Sequence, residues 1–298
     1  MPSGAQRKTR PDEIGCVEMS FLGRAFARVV YALDRLFPAV RVGGRGSASD
    51  YAEWEFESGK RLIADYHRFL GFLGGKRILD IGCGYGGKTL AYSESGAEAY
   101  GVDIVPGNIA GAVEYSKRFP EITPPRFILA SADLLPFADS TFDLVIANDS
   151  MEHFSNPEKA LHEITRVVKE GGYVVLFFTP WSSPLGSHLY DLLKTPWCHL
   201  IYPDWLKEEL LRIVLDARGE RDPSAGAARL MGEYRSELNR ITISQFNGIV
   251  SRIPDIKNVY REYRPLRFEW LRPFVKLPFV GKFFVNTVVS VLKKKHGP

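Results

Sequence analysis

The sequence predicts an α/β fold, a mostly parallel sheet covered by helices on both faces. Three observations carry this. From residue 77 onward, short apolar segments alternate with stretches of helical periodicity, the pattern of parallel strands joined by crossover helices. The run Arg77-Ile78-Leu79-Asp80-Ile81 leads straight into a glycine-rich turn, Gly82-Cys83-Gly84-Tyr85-Gly86-Gly87. Finally, Asp80, Asp103, Asp133 and Asn148 all fall at the carboxyl ends of expected strands, where open α/β sheets bind their ligands.

The elements can be taken in chain order. Residues 1–19 form a polar start. In 20–37, Phe21, Leu22, Ala25, Phe26, Val29, Val30, Leu33 and Leu36 recur at helical spacing, with Arg24, Arg28 and Arg35 on the opposite face and Pro38 as the stop. Two readings of this helix stand open. It packs its apolar face on its own domain with the arginines in water, or it lies in a membrane interface. Residues 42–49 are a glycine- and serine-rich linker, and 51–72 form a second helical segment with Trp54, Phe56, Leu62, Ile63, Tyr66, Phe69 and Leu70 as buried positions. Strands are expected near 77–81, 98–103, 125–130, 142–147 and 172–179, and helices near 86–95, 107–118 and 156–169.

Residues 181–240 interrupt the alternation. A loop over 181–188 is followed by Trp197, His199, Tyr202 and Trp205, then by a polar helical stretch over 206–217. A long insertion at the ligand end is the natural place for a substrate lid. A further helix over 242–253 and two last strands over 258–266 and 286–294 complete the chain. Between those strands, 268–283 mixes nine bulky apolar residues with Arg272, Lys276 and Lys282, and Lys293, Lys294 and Lys295 follow. This is either a hairpin insertion packed on the domain or a patch that meets anionic lipid.

Bulk properties narrow the function classes. The 298 residues suffice for one large domain or two small ones, and 45% apolar with 25% charged residues is ordinary globular composition. The three cysteines, Cys16, Cys83 and Cys198, have no metal-ligand spacing and suit a reducing cytoplasm; no metal is expected. No secretory leader and no transmembrane run is visible. The net charge of +4 decides little, and without an arginine-rich tract interleaved with aromatics a nucleic-acid partner is not expected.

Gly82, Gly84 and Gly87 fit G-x-G-x-x-G, a spacing that by itself also serves a nicotinamide dinucleotide. Asp80 before the turn would repel a pyrophosphate and suits a cofactor with positive charge. Asp103, about twenty residues past the glycines, suits a carboxylate accepting both hydroxyls of a ribose.

With Ile78-Leu79-Asp80-Ile81-Gly82-Cys83-Gly84-Tyr85-Gly86, Gly101-Val102-Asp103, Ala130-Ser131-Ala132-Asp133-Leu134-Leu135-Pro136-Phe137, the run 142–154 containing Met151-Glu152-His153-Phe154, and 160–176, in this order and spacing, the chain resembles the class I S-adenosylmethionine-dependent methyltransferases, specifically the small-molecule type 11 group. The resemblance covers roughly residues 75–180. It implies a Rossmann-like seven-stranded sheet with an antiparallel pair at its edge, leading helices that close over the cofactor, and S-adenosyl-L-methionine as that cofactor. It divides the chain into an N-terminal helical segment (1–72) and a methyltransferase domain (73–298) carrying a lid insertion (181–240) and an apolar, basic hairpin insertion (268–283). By the same resemblance, Asp80 lies near the methionine amino end; Gly82, Gly84 and Gly86 form the loop beneath the cofactor; Asp103 holds the ribose; Asp133 faces the adenine amino group, with Ala132 and Leu134 beside the ring; and Asn148 lines the methionine end. Each strand-end acid also has a plainer reading, as a cap or turn residue.

An oxygen acceptor must lose a proton, and histidine is the usual base. His153 follows the fourth strand; His188 and His199 in the lid are its rivals, with Tyr190 and Tyr202 as orienting groups and Asp149 and Glu152 able to position His153 or a hydroxyl. The Asn/Asp-Pro-Pro-Tyr/Phe motif of amino-group nucleic-acid methyltransferases is absent where Asn148-Asp149-Ser150-Met151 stands. The expected function is methyl transfer to oxygen of a small or lipid-like acceptor, in a cytoplasmic protein with peripheral membrane contact through 20–37 and 268–295. Two other readings stand beside it: a catalytically silent membrane or partner adaptor, and an NAD-dependent oxidoreductase.

Overall fold

The computed structural model describes residues 20–39, 47–266 and 272–297. Its centre is a seven-stranded sheet of order β3-β2-β1-β4-β5-β7-β6. The strands are β1 (Arg77–Ile81), β2 (Glu98–Asp103), β3 (Arg126–Leu129), β4 (Phe142–Asn148), β5 (Val168–Phe178), β6 (Ile256–Pro265) and β7 (Val285–Lys294). β1 to β5 are parallel, and β7 runs antiparallel to both β5 and β6. The order reverses between β1 and β4, so a crevice opens at their carboxyl ends.

The strands are apolar runs because both faces are covered. Side chains alternate across the sheet: Leu79, Ile81, Val145 and Ala147 join one buried cluster, while Ile78, Leu144 and Ile146 join another. The first is covered by α6 (Pro157–Val167) and α10 (Ile243–Arg252), the second by α2 (Ala48–Asp65) and α3 (His67–Leu70). Ser47 and Asp50 form a capping box that starts α2. The crossover helices α4 (Gly87–Glu94) and α5 (Pro106–Ser116) stand where the glycine turn and Asp103 release the chain. α2 and α4 pack backbone to backbone, since a Cβ on Gly87 would stand 2.0 Å from the Ala52 carbonyl oxygen.

The 181–240 insertion, expected as a lid and called so below, holds α7 (Cys198–Ile201), α8 (Asp204–Ala217) and α9 (Pro223–Ser236). The last is an element the pattern did not announce, because Gly226 and Gly232 dilute its helical signal; it forms behind Pro223, with Asp222 accepting from the Ala225 amide. The 51–72 segment breaks at Tyr66 into two helices. β5 begins four residues earlier than expected, at the end of the stretch expected as helix, and the glycine pair lies within a register irregularity, with Gly171 at φ +73°.

The first helix departs most from the packed reading. α1 (Phe21–Asp34) buries only Ala27, Val30 and Asp34 against the 181–240 insertion, with Tyr31 half-buried beside them, and its bulky apolar stripe is exposed. The expected hairpin over 268–283 lies partly outside the described residues; from 272 onward it forms α11 (Arg272–Val275) and one tight turn over Gly281–Phe283. Lys293–Lys295, grouped with it in the sequence, belong elsewhere. The Lys294 ammonium donates to the Val168 carbonyl at 2.8 Å and that of Lys295 to the Pro254 carbonyl, at the end of the sheet away from the ligand side. Among the described residues, no helix is long and apolar enough to cross a membrane.

Candidate active site

A cavity of about 480 Å³ opens at the carboxyl ends of β1, β2 and β4, within the size range of small-molecule sites. Of the residues expected at a cofactor, Gly82, Gly84, Asp103, Ala132, Asp133 and Asn148 line it. Asp80, Gly86 and Leu134 do not. Asp80 is buried beneath the loop, where it accepts from Thr89 Oγ1 at 2.7 Å, and burial pushes its carboxyl up to about 6. Gly86 serves packing: a Cβ there would meet Phe127 and Ala112 within 2.7 Å. Leu134 is 71% exposed.

The loop reaches its shape through glycines in the left-handed region, Gly82 at φ +70° and Gly84 at φ +54°. Asp103 holds it. One carboxylate oxygen accepts from the Gly84 amide at 3.0 Å; the other accepts from the Val105 amide at 2.9 Å and from Asn108 Nδ2 at 3.2 Å. The plainer turn role of this acid is therefore present together with its place on the cavity wall. Asp133 likewise accepts from Ser131 Oγ at 2.5 Å in a local turn while lining the cavity.

α2, packed directly against the glycine loop, adds Tyr51 and Glu55 to the wall, and Lys88 enters from α4. Glu55 and Lys88 lie 3.6 Å apart, both nearly inaccessible. Burial pushes the Glu55 carboxyl up to about 7 against the pull of Lys88. Burial also opposes the Lys88 charge, but Glu55, Asp149, Tyr51 and Asp80 outweigh it and hold the ammonium charged. One Glu55 carboxylate oxygen, Oε2, is buried without a hydrogen-bond partner. The pair escaped the sequence reading, although a signal existed: Glu55 lies four residues after Tyr51 and three after Ala52, on a face that otherwise reads as buried.

His153 stands on the wall, and its Nδ1 lies 3.0 Å from the Glu237 carbonyl oxygen. A carbonyl only accepts, so Nδ1 carries a hydrogen, and in the neutral ring Nε2 keeps the lone pair. Asn239 fixes this arrangement. Its side-chain amide donates to the Met151 and Phe154 carbonyls, both at 2.8 Å, and its own amide to the Glu152 carbonyl at 2.9 Å. The lid thus grips the His153 turn through two residues that the sequence did not single out, Glu237 and Asn239.

His188 packs edge-on to His153, ring centroids 5.0 Å apart, and burial with the neighbouring His153 pushes its imidazole down to about 4. Its Nε2 lies 3.7 Å from Glu152 Oε1. Glu152 accepts from the Thr179 amide, and burial, reinforced by Asp149, pushes its carboxyl up to about 8. Glu152, His153 and His188 each bring one metal-capable atom within 4.8 Å of the others. His199 lies elsewhere, its Nε2 meeting the Trp181 carbonyl at 2.7 Å, and of the three candidate bases only His153 is on the cavity wall; His188 sits behind it and His199 is remote. Tyr202 donates to Thr195 Oγ1 within the lid.

The fold is shared with several solved structures. The YcgJ protein of Bacillus subtilis superposes with a TM-score of 0.51 at 18% identity, over 81% of this chain and 100% of that one. The PH0226 protein of Pyrococcus horikoshii gives 0.53 at 22%, over 82% and 92%. The cyclase SpnF gives 0.54 at 17%, over 93% and 96%. At such identities the likeness concerns the fold alone. In sequence, the family model described as a methyltransferase domain matches residues 79–176. An uncharacterized methyltransferase of Mycobacterium tuberculosis is 36% identical over 115 residues, which are 38% of this chain and 43% of that protein, so the match spans less than half of that relative's length. An uncharacterized methyltransferase of Mycolicibacterium gilvum is 32% identical over 216 residues, 72% of this chain and 75% of that protein. On that span of similarity, laid over the glycine loop and strand ends described above, the chain belongs to the methyltransferase family whose members take their methyl group from S-adenosyl-L-methionine.

Proposed function

We propose that this methyltransferase acts on a hydroxyl of a small or lipid-like acceptor, with His153 as the base and the cofactor held jointly by the glycine loop and the residues that α2 lays beside it. The observation that carries the reading is His153 on the cavity wall with Nδ1 committed to the Glu237 carbonyl. Nε2 is then available to take the proton of an acceptor hydroxyl.

The wall suits the cofactor. Gly84 leaves bare backbone, where a Cβ would stand 3.0 Å from Glu55 Oε1. The unpartnered buried oxygen of Glu55 suits a cationic amino group, since an orphaned carboxylate oxygen gains most from a charged donor. Asp103 is oriented by three donors and lines the cavity, which suits ribose hydroxyls; Asp133, Ala132 and Asn148 take the adenine and methionine ends. When bound, S-adenosyl-L-methionine supplies an electrophilic methyl group on a sulfonium. The chain's contribution is alignment, removal of the proton, and a dry wall. Tyr51, Tyr85, Ile104, Val105 and Phe154 on that wall favour an apolar body in the remaining space. No feature of the site favours the nicotinamide or the silent-adaptor reading.

Incubation with a methyl-labelled donor and a panel of hydroxyl-bearing amphiphiles tests this. The expected product is an alkali-stable methyl ether, and His153→Gln should lower kcat by about a hundredfold or more while leaving cofactor affinity unchanged. Label found in an amine or an ester, or full turnover by His153→Gln, would overturn the reading.

A further inference from the structure

We infer that the face built by α1, the 198–205 segment and the 272–284 segment docks on an anionic membrane surface. This concerns where the enzyme works and stands apart from the choice of acceptor.

α1 contacts the lid through a narrow stripe, Ala27, Val30, the half-buried Tyr31 and the buried Asp34. With 3.6 residues per turn, the rest of its apolar residues point away from the protein. Phe21 is 84% exposed, Leu22 77% and Leu36 79%; Phe26, Val29 and Leu33 are all above half. A helix that satisfied its apolar face within its own domain would show the reverse. Beside it, Leu200, Ile201 and Trp205 are exposed too, and the Trp205 ring lies 6.3 Å from that of Phe26. Leu277, Phe279 and Val280 add a third cluster, with Phe279 92% exposed.

The three clusters share one support. Asp34 of α1 accepts from the Thr195 amide and hydroxyl, both at 2.8 Å, and Arg35 donates to the Leu192 carbonyl. Two residues on, Trp197 Nε1 donates to the Phe283 carbonyl at 3.0 Å and its ring meets Phe284. Ser182 Oγ donates to the Lys282 carbonyl. The lid segment between β5 and α8 therefore braces α1 on one side and the 272–284 segment on the other. That segment follows the carboxyl end of β5, and residue 284 runs into β7 at the same end. The face and the cofactor cavity thus occupy the same end of the sheet.

Charge selects the occupant. Arg24, Arg28, Lys276 and Lys282 are exposed among these apolar residues. The one acid in 20–37 is Asp34, buried and paired with Arg35, and 272–284 contains none. Asp204, beside Trp205, is paired with Lys207 and Arg235. Apolar side chains rimmed by cations without free acids match the headgroup layer of an anionic bilayer. A self-complementary contact between two copies would set these cations against one another. The absence of a spanning helix among the described residues makes this a surface contact.

Flotation of the full chain with vesicles tests the inference, using phosphatidylcholine alone and a 3:1 mixture with phosphatidylglycerol, at low and high salt. The expected result is co-flotation with the anionic vesicles at low salt, falling at least tenfold in 0.5 M salt or with neutral vesicles. The pair Leu22→Glu with Val29→Glu, and separately Phe279→Glu, should each reduce it at least tenfold. Calorimetry with S-adenosyl-L-methionine should show unchanged affinity in these variants, which separates loss of docking from loss of fold or of the methyltransferase reading. Wild-type protein that stays at the bottom with anionic vesicles at low salt would overturn the inference. So would variants that float like wild type, or light scattering that shows a dimer abolished by the same substitutions without vesicle binding.

Discussion

The two walls of the cavity are built by different means. The wall over residues 81–155 is made of strand ends and backbone: Gly82, Gly84, Asp103, Asp133 and Asn148 are where they are because strands end there. The rest of the wall is made of groups delivered from afar. Tyr51 and Glu55 come from a helix that precedes the sheet, and the Glu237 carbonyl comes from the end of the lid. The first wall depends on chain geometry that few residue types can supply, so its residues keep fixed spacings. The second depends only on packing, which many sequences achieve.

The largest effect should come where the two walls meet. Gly87→Val places a side chain against the Ala52 carbonyl and the backbone of Phe56, which α2 cannot relieve without moving. Cofactor binding by calorimetry should vanish and the Tm should fall, whereas Gly107→Ala, with open space around it, should leave both near wild type. A variant Gly87→Val that binds normally would separate the walls and break the comparison.

A smaller effect is expected at the lid's grip on His153. Asn239→Ala removes three side-chain bonds, those donated to the Met151 and Phe154 carbonyls and the one accepted from the Ile241 amide. Leaving such groups unpaired costs about 1–3 kcal/mol, measurable by denaturant titration, and kcat should drop more than cofactor affinity because the change falls on the His153 side. Equal losses in both would show that the lid also shapes the cofactor side.

The smallest effect is in pH dependence. Burial holds Glu152 near 8 in the folded chain against an ordinary value of 4.5. Between these values the folded state keeps a proton that the unfolded state releases, so stability falls as pH rises. His188, held near 4 against an ordinary 6.5, works in the opposite sense but only below 6.5. Glu55 and Asp80, held near 7 and 6, add to the fall only up to those values. From pH 7 to 8, Glu152 remains, with a slope of at most about 1.4 kcal/mol per pH unit. Glu152→Gln should flatten denaturation midpoints over that interval; an unchanged slope would assign it to another group.

The difference between the walls also explains what the sequence revealed. The inner parallel strands were legible because covered strands are largely apolar runs, the edge pair, whose outer strand is half-exposed, through the family resemblance, and the loop because left-handed turns need glycine. α9 was hidden by its two glycines, and Glu55 by sitting as a charge on a buried helical face. α1 was legible as an amphipathic helix, but periodicity gives the stripe and not its direction. Which way Phe21 and Leu22 point depends on Ala27, Val30 and Asp34 finding the lid, a contact spanning some 160 residues of chain.

The central claim is that the cofactor is held jointly by Asp103 at the end of β2 and Glu55 of α2, which both border the glycine loop. Its most direct test is calorimetry of S-adenosyl-L-methionine against the wild type, Asp103→Ala, Glu55→Gln and the double variant. Each single change should weaken binding by about tenfold or more, as expected for loss of a hydrogen bond to a charged group, with the double variant weaker still. Wild-type affinity in both single variants would contradict the account, since neither residue would then be holding the cofactor.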